Sequence, residues 1–191
     1  KMNFLKDILG EKESLLEELF LEKSNSDLSN DLGNLVSRVA AMVEKYNDGI
    51  IKKGNSIETY DNDLINVATH MISNIENNMD ELKVNEAVSK IWEVVSKANK
   101  YIDLSMPWIL AKNEDKERLN TVLYNLVETI RIIAIGLRPF MVEVPQKIFD
   151  QIGVDKDLQE WESAKEFGIL KEGTKVEKKE NLFPRIDIKK E

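Results

Sequence analysis

The sequence lacks most of the residue types on which catalytic and metal sites are built. It has no cysteine and a single histidine, His70, which excludes disulfides, thiolate metal sites and Cys/His catalytic pairs. No glycine-rich phosphate-binding motif occurs. Carboxylates are numerous but alternate with lysines, and the acidic run at 114–118 is typical of a solvated helix start. The residues therefore give little support for a catalytic site, and we expect neither a metal nor a cofactor in this chain.

Glycine and proline are also scarce, with eight and four among the 191 residues. Long stretches are therefore free to be helical. No apolar run approaches the roughly 20 residues that span a bilayer, and no signal-like segment opens the chain. The absence of cysteine fits a reducing compartment, so we expect a cytoplasmic protein. Because no membrane-spanning run occurs, we expect no interaction with a membrane.

The excess of negative charge is the strongest objection to a nucleic-acid ligand. The formal net charge is −8, whereas phosphate contacts made by basic residues usually supply much of the affinity for nucleic acid. Either the chain binds no nucleic acid, or it binds a few unpaired bases locally while another domain holds the backbone. Charge alone favours the first interpretation, and DNA is not an expected partner on any interpretation.

Apolar residues at helical spacing predict an all-α fold, a bundle of four to five long helices with an extended C-terminal tail. Residues 1–24 form a leader of uncertain structure, 25–154 the bundle and 155–191 the tail, which Trp161 anchors to the bundle. Leu126, Ile130 and Ile133 lie centrally on the strongest apolar stripe. The predicted helices cover 26–48, capped by Ser26 or Asp27, then 62–79, 81–102 with Val84 facing inward, 114–137, and a short helix from Pro145 to Gln151.

Trp108 follows Pro107 immediately after the third predicted helix. Since the residue before a proline avoids the helical region, the helix should break at Ser105-Met106-Pro107. A tryptophan at such a corner is either part of the core, as we expect for Trp92, or a platform on which an unpaired base stacks.

Polar residues recur along one strip of the first predicted helix. Asn34 and Arg38 are four residues apart and share a face, with Asn30 one turn earlier and Met42 one turn later. Asn and Arg can form paired hydrogen bonds with the edges of bases. The structural alternative is that Asn30 caps the helix while Asn34 and Arg38 bond to neighbouring helices.

Four motifs, in order along the chain, resemble the anticodon-binding domain of bacterial methionyl-tRNA synthetases. The first is NSDLSNDLGNLVSR at 25–38, and the second is ANKYIDLSMPWILAK at 98–112. The third comprises TVLYNL at 121–126 and LRPFM at 137–141. The fourth begins at Trp161 and includes GILKEG at 168–173 and LFPRI at 182–186. The resemblance therefore covers residues from about 25 to 187.

The resemblance implies a non-catalytic module that recognises the CAU anticodon of methionine tRNAs. Trp108, preceded by Pro107, matches the family's base-stacking tryptophan, and Asn34 and Arg38 match its hydrogen-bonding residues. Beyond Arg38 the match is looser, and Met42 and Lys45 are further candidates. ATP and methionine would bind a catalytic domain that is missing from this chain. The expected partners are therefore the anticodon loop of a methionine tRNA and that catalytic domain.

A helical protein–protein interaction module without any role in RNA binding is the alternative function. The acidic charge and amphipathic helices support it. Exposure separates the two hypotheses, because a fully buried Trp108, with Asn34 and Arg38 tied into core hydrogen bonds, would favour the alternative. A stand-alone enzyme would require a pocket with perturbed titratable groups, which the sequence does not offer.

Overall fold

The computed structural model describes residues 24–183 and is helical with no β-strand in that range. Most of the predicted leader and the last eight residues lie outside the described residues. None of the described helices is long and apolar enough to cross a membrane. The α-helices are α1 (Asn34–Asn47), α2 (Thr59–Asp80), α3 (Val84–Ser105), α4 (Pro107–Lys112), α5 (Lys116–Leu137) and α6 (Val144–Ile152).

A π-helical segment, Ser24–Gly33, leads directly into α1. The prediction that Ser26 or Asp27 caps a regular α-helix is therefore wrong, since both residues lie inside a helical segment. Hydrogen bonds in a π-helix span five residues instead of four, so α-helical phasing does not hold before Gly33. The α1 helix ends at Asn47, where Asp48 adopts a left-handed conformation with a φ of 55°.

The α5 helix is the centre of the bundle, and Leu126, Ile130 and Ile133 are fully buried as predicted. From Arg118 to Leu137 every residue except Asn120 is buried, because α1, α2, α3, α4 and α6 all pack around this helix. Polar side chains on α5 are therefore also removed from water and need partners within the protein.

The break after α3 falls where the sequence predicts it. Ser105 is the last residue of α3, Met106 has a φ of 44°, and Pro107 begins α4. Proline has no N–H with which to continue the preceding hydrogen-bond ladder, but it fits the first turn of a new helix. The α3 helix starts three residues later than predicted, so Val84 lies at its exposed beginning and the prediction that it faces inward is wrong.

Beyond α6 the chain forms 3-10 turns at Lys156–Gln159 and Trp161–Lys165. Trp161 is half-buried against the core and its Nε1 donates to Glu76 of α2 at 2.8 Å, which confirms its predicted anchoring role. Further along, Leu170, Val176 and Leu182 are buried. The tail therefore packs back along the bundle.

Candidate nucleic-acid interface

The corner between α3 and α4 carries a concentration of exposed apolar side chains. Trp108 is the second residue of α4 and is 43% exposed. Of nine large hydrophobic residues that are exposed within residues 27–183, four fall at this corner. A cluster of exposed apolar side chains usually marks a surface that binds another molecule. The four are Leu104, Met106, Trp108 and Ile109.

Pro107 is buried, although its neighbour Trp108 is exposed. The Ile109 N–H donates to the Met106 carbonyl at 2.8 Å, so α4 begins immediately at the turn. Because α4 packs against α5, the indole ring is carried on a short helix with one side attached to the core.

The polar strip of α1 lies beside the same corner. Asn34 is exposed at the start of α1, and the side chain of Arg38, one turn later, is 39% exposed. A guanidinium nitrogen of Arg38 lies 4.0 Å from Oδ1 of Asp103, in the last turn of α3. The structure thus brings Arg38 next to the helix end that leads to Trp108. Within residues 24–183, neither Asn34 nor Arg38 is part of a buried hydrogen-bond network.

The remaining sequence candidates are placed less uniformly. Asn30 is exposed but lies in the π-helical segment, so it does not cap the helix. Met42 is half-buried and packs against the core. Lys45 is exposed, with its ammonium group 5.3 Å from the centre of the Tyr46 ring. Contacts of any of these residues with RNA stay predictions.

A crevice of about 410 Å³ separates the end of α1 from α4. Leu110 and Ala111 of α4 form one side, next to Trp108. Three exposed lysines, Lys45, Lys52 and Lys116, line the opening, and none of them forms an ion pair with a described residue. Acidic side chains of Asp48 and Glu114 also lie there, so the formal charge of the lining is +1, in contrast to −8 for the whole chain.

Under this corner lies a buried polar cluster centred on Asp61 of α2. The Arg118 Nη1 and Nη2 groups donate to its two carboxylate oxygens at 2.6 Å each, and the Tyr101 hydroxyl donates to Oδ1 at 2.6 Å. Asn125 Nδ2 donates to the Tyr101 hydroxyl at 3.2 Å. The Glu58 N–H also donates to the Asp61 carboxylate, at 2.9 Å from Oδ2.

Burial alone would raise the pKa of Asp61. The hydrogen bonds from Arg118, the Glu58 backbone and Tyr101 together outweigh it and hold the pKa below its ordinary value. Burial, and then the bond to Asp61, raise the pKa of the Tyr101 hydroxyl. The cluster therefore stays ionised at the carboxylate and protonated at the phenol across the physiological range.

Two features of this site were not predicted from the sequence. The exposed neighbours of Trp108 could have been anticipated, since Leu104, Met106 and Ile109 surround a helix break where the apolar stripe cannot be continuous. The Asp61 cluster could not, because its three helices are brought together only by the fold.

Within residues 24–183 no group of three or more His, Cys, Asp or Glu side chains is arranged to hold a metal ion.

Residues 51–191 match the family model described as "Anticodon binding domain of methionyl tRNA ligase". The chain is 54% identical over 175 residues to the methionine–tRNA ligase of Caldanaerobacter subterraneus subsp. tengcongensis, and 49% identical over 174 residues to that of Clostridium acetobutylicum. Both alignments cover 91% of this chain and 27% of the relative. The chain therefore spans about a quarter of the length of these relatives.

Solved structures agree with the sequence comparison. The apo form of Mycobacterium tuberculosis methionyl-tRNA synthetase matches with a TM-score of 0.83 at 30% identity, covering 90% of this chain and 35% of that one. The same enzyme in complex with methionyl-adenylate matches with a TM-score of 0.81 at 31% identity, covering 88% and 33%. The part matched by the family model includes the Trp108 corner, and the chain belongs to the methionyl-tRNA ligase family, of which it comprises the anticodon-binding domain.

Proposed function

We propose that this chain binds the CAU anticodon of methionine tRNAs and contributes no catalytic residue to the ligase. The observation that supports this most strongly is the exposed Trp108, on a short helix beside Arg38. A family in which the domain reads an anticodon supplies the class of ligand, and the corner supplies a surface suited to unpaired bases.

Stacking on Trp108 would supply the part of the affinity that does not depend on phosphate. Unpaired bases stack on exposed aromatic rings, and one such contact is worth about 1–3 kcal/mol. The apolar side chains of Met106 and Ile109 flank the ring in the chain and are exposed with it. They would shield the edges of a stacked base from water. Exposed apolar surface also suits a protein partner, so the family match is what favours RNA over the alternative function, a protein-binding bundle.

Hydrogen bonds from α1 would supply the sequence preference. Asn34 can donate and accept at once, and the Arg38 guanidinium presents parallel N–H groups to a base edge. At 4.0 Å the contact between Arg38 and Asp103 is at the limit of an ion pair. Exposed pairs of this kind are weak, so a base can displace it. A wrong base would leave a desolvated donor or acceptor unpaired, which costs about 1–3 kcal/mol.

The net negative charge is compatible with this function because the charge is distributed unevenly. Lys45, Lys52 and Lys116 face the crevice beside α4 without carboxylate partners among the described residues. A small local excess of positive charge suffices for a loop that is held mainly by its bases. The relatives are more than three times as long as this chain, and we propose that their remaining part binds ATP and methionine and contacts most of the tRNA backbone.

Titration with RNA hairpins tests this function. One hairpin carries CAU in its loop, and the control has the same stem with a changed middle anticodon base. We expect the CAU hairpin to bind at least about tenfold more tightly, as one mispaired polar group predicts. Equal affinity for the two hairpins, or tighter binding of the control, would refute anticodon recognition.

A further inference from the structure

The short helix that carries Trp108 is held by its two neighbours. Tyr101 is in the last turns of α3, and Arg118 is in the first turn of α5. Between them the chain forms α4 and two turn residues with positive φ, Met106 at 44° and Glu114 at 56°. The orientation of the indole therefore depends on the relative placement of the end of α3 and the beginning of α5.

One side chain links these two helix ends. The Asp61 carboxylate of α2 accepts from the Tyr101 hydroxyl and from both terminal nitrogens of Arg118, each at 2.6 Å. The Arg118 guanidinium also lies 5.1 Å from the centre of the Tyr60 ring, and that ring packs edge-on against Tyr101. Asp61, Tyr101 and Arg118 are almost fully buried.

A second bond extends the connection towards the turn. The Ser105 hydroxyl donates to the Tyr101 carbonyl at 2.7 Å and is itself buried. Met106, the next residue, then donates its N–H to Ile102 at 3.0 Å. On the other side, the N–H of Arg118 donates to Oδ1 of Asp115, the residue that caps α5. Hydrogen bonds therefore connect Asp61 to the residues just before and just after α4.

We propose that Asp61 is a positioning residue for the anticodon platform: its carboxylate fixes the ends of α3 and α5 and thereby holds α4 and the Trp108 ring in the orientation that accepts a base. Asp61 touches no RNA in this account and acts only through Trp108. The proposal rests on the function proposed above.

The chain contains a matched control for this carboxylate. Glu128 is fully buried on α5 and forms an equivalent pair, accepting from Arg131 Nε and Nη2 at 3.0 Å each. It also accepts the N–H groups of Gly168 and Ile169 at 3.0 and 3.1 Å. Glu128 therefore holds the tail, whereas Asp61 holds the corner. Replacing either carboxylate by its amide removes one buried charge next to an arginine.

The first experiment reads the orientation of Trp108 without RNA. In the 191-residue chain, Trp92→Phe and Trp161→Phe leave Trp108 as the sole tryptophan, which is then excited selectively over the tyrosines. We expect Asp61→Asn to lower the fluorescence anisotropy of Trp108 and to increase its quenching by acrylamide, at a temperature where circular dichroism shows an intact helical fold. Glu128→Gln should leave both Trp108 signals unchanged, although it also lowers the unfolding midpoint.

The second experiment reads the coupling to RNA with a double-mutant cycle. Asp61→Asn should weaken binding of the CAU hairpin by about tenfold. This is near the lower end of the loss expected when a base no longer stacks on Trp108. In a Trp108→Ala background, the same substitution should cause no further loss. A purely structural role predicts additive losses instead, because both substitutions would then act independently.

Each outcome decides the proposal. Unchanged Trp108 fluorescence in folded Asp61→Asn, or an equal loss of binding with and without Trp108, overturns it. If Asp61→Asn does not fold, Tyr101→Phe, which keeps the ring and the Asp61–Arg118 pair, is judged by the same two measurements. If the unsubstituted chain does not prefer the CAU hairpin, the proposed function fails, while the fluorescence comparison still decides the role of Asp61.

Discussion

Arg38 of α1 and Asp103 of α3 face each other across the surface next to Trp108, with 4.0 Å between a guanidinium nitrogen and Oδ1. Both side chains are exposed, Asp103 by 73%. Such a pair contributes little to stability. The contact shows that α1 lies against the last turn of α3, immediately before the corner that carries Trp108.

This geometry predicts that Arg38→Ala separates binding from stability. The free energy of unfolding should change by less than about 1 kcal/mol, since the pair is exposed. Affinity for the CAU hairpin should fall by about 1–3 kcal/mol, the value of a paired contact with a base edge. Urea unfolding and hairpin titration measure the two quantities.

Lys97→Ala is the matched control for Arg38, because Lys97 forms a comparable exposed pair with Asp63 at 3.2 Å. It should leave both stability and RNA affinity nearly unchanged. If Arg38→Ala binds the hairpin as tightly as the unsubstituted chain, Arg38 does not read a base.

Leu126→Ala should destabilise the bundle strongly. The side chain is fully buried at the centre of α5, and removal of a buried leucine costs roughly 2–5 kcal/mol. Leu82→Ala, at a residue that is 88% exposed, should have almost no effect on urea unfolding. A loss near zero for Leu126→Ala would contradict the placement of α5 at the centre of the core.

The Asp61 cluster predicts a specific loss of stability in acid. The pKa of Asp61 is lower in the folded chain than its ordinary value of 3.8, so the unfolded chain takes up the proton first as the pH falls. The stabilisation is complete above that ordinary value and is lost as the pH falls through the folded pKa. We therefore expect the free energy of unfolding, measured in urea, to fall less steeply with decreasing pH below about pH 4 in Asp61→Asn than in the unsubstituted chain. Identical slopes in the two proteins would show that Asp61 is not a source of the acid sensitivity.

The isolated chain should not activate methionine. No nucleotide-binding motif occurs in its sequence, and the proposed function assigns ATP and methionine to the remaining part of the longer relatives. Methionine-dependent exchange of pyrophosphate into ATP should therefore stay at the background rate with purified chain. Exchange above that of a heat-denatured sample would overturn the non-catalytic assignment.

Sequence periodicity predicted the bundle well where one physical signal dominated. The α5 stripe is long and its neighbours cover it on every side, so the predicted burial of Leu126 and Ile130 is confirmed. The break before Pro107 is also confirmed, because proline restricts its own backbone and that of the residue before it. These are local effects that a single sequence carries.

Other features depend on information that periodicity does not contain. Six residues, Pro107–Lys112, are too few to establish a helical period, so α4 was not predicted. Residues 26–33 were predicted as ordinary α-helix because a π-helix has no composition signal of its own. The Asp61 cluster joins residues 40 and 57 positions apart, and only tertiary packing determines which buried polar groups meet.

The affinity of Trp108→Ala for the CAU hairpin, measured together with its melting temperature, tests the central claim most directly. Loss of one stacking contact, worth about 1–3 kcal/mol, should weaken binding by roughly tenfold to a hundredfold. The melting temperature should stay nearly constant, because the exposed ring contributes little to the core. Trp161→Ala, which removes the bond to Glu76, should show the reverse pattern, a lower melting temperature with unchanged affinity. Unchanged RNA affinity with a strongly lowered melting temperature in Trp108→Ala would show that this tryptophan holds the fold and does not read the anticodon.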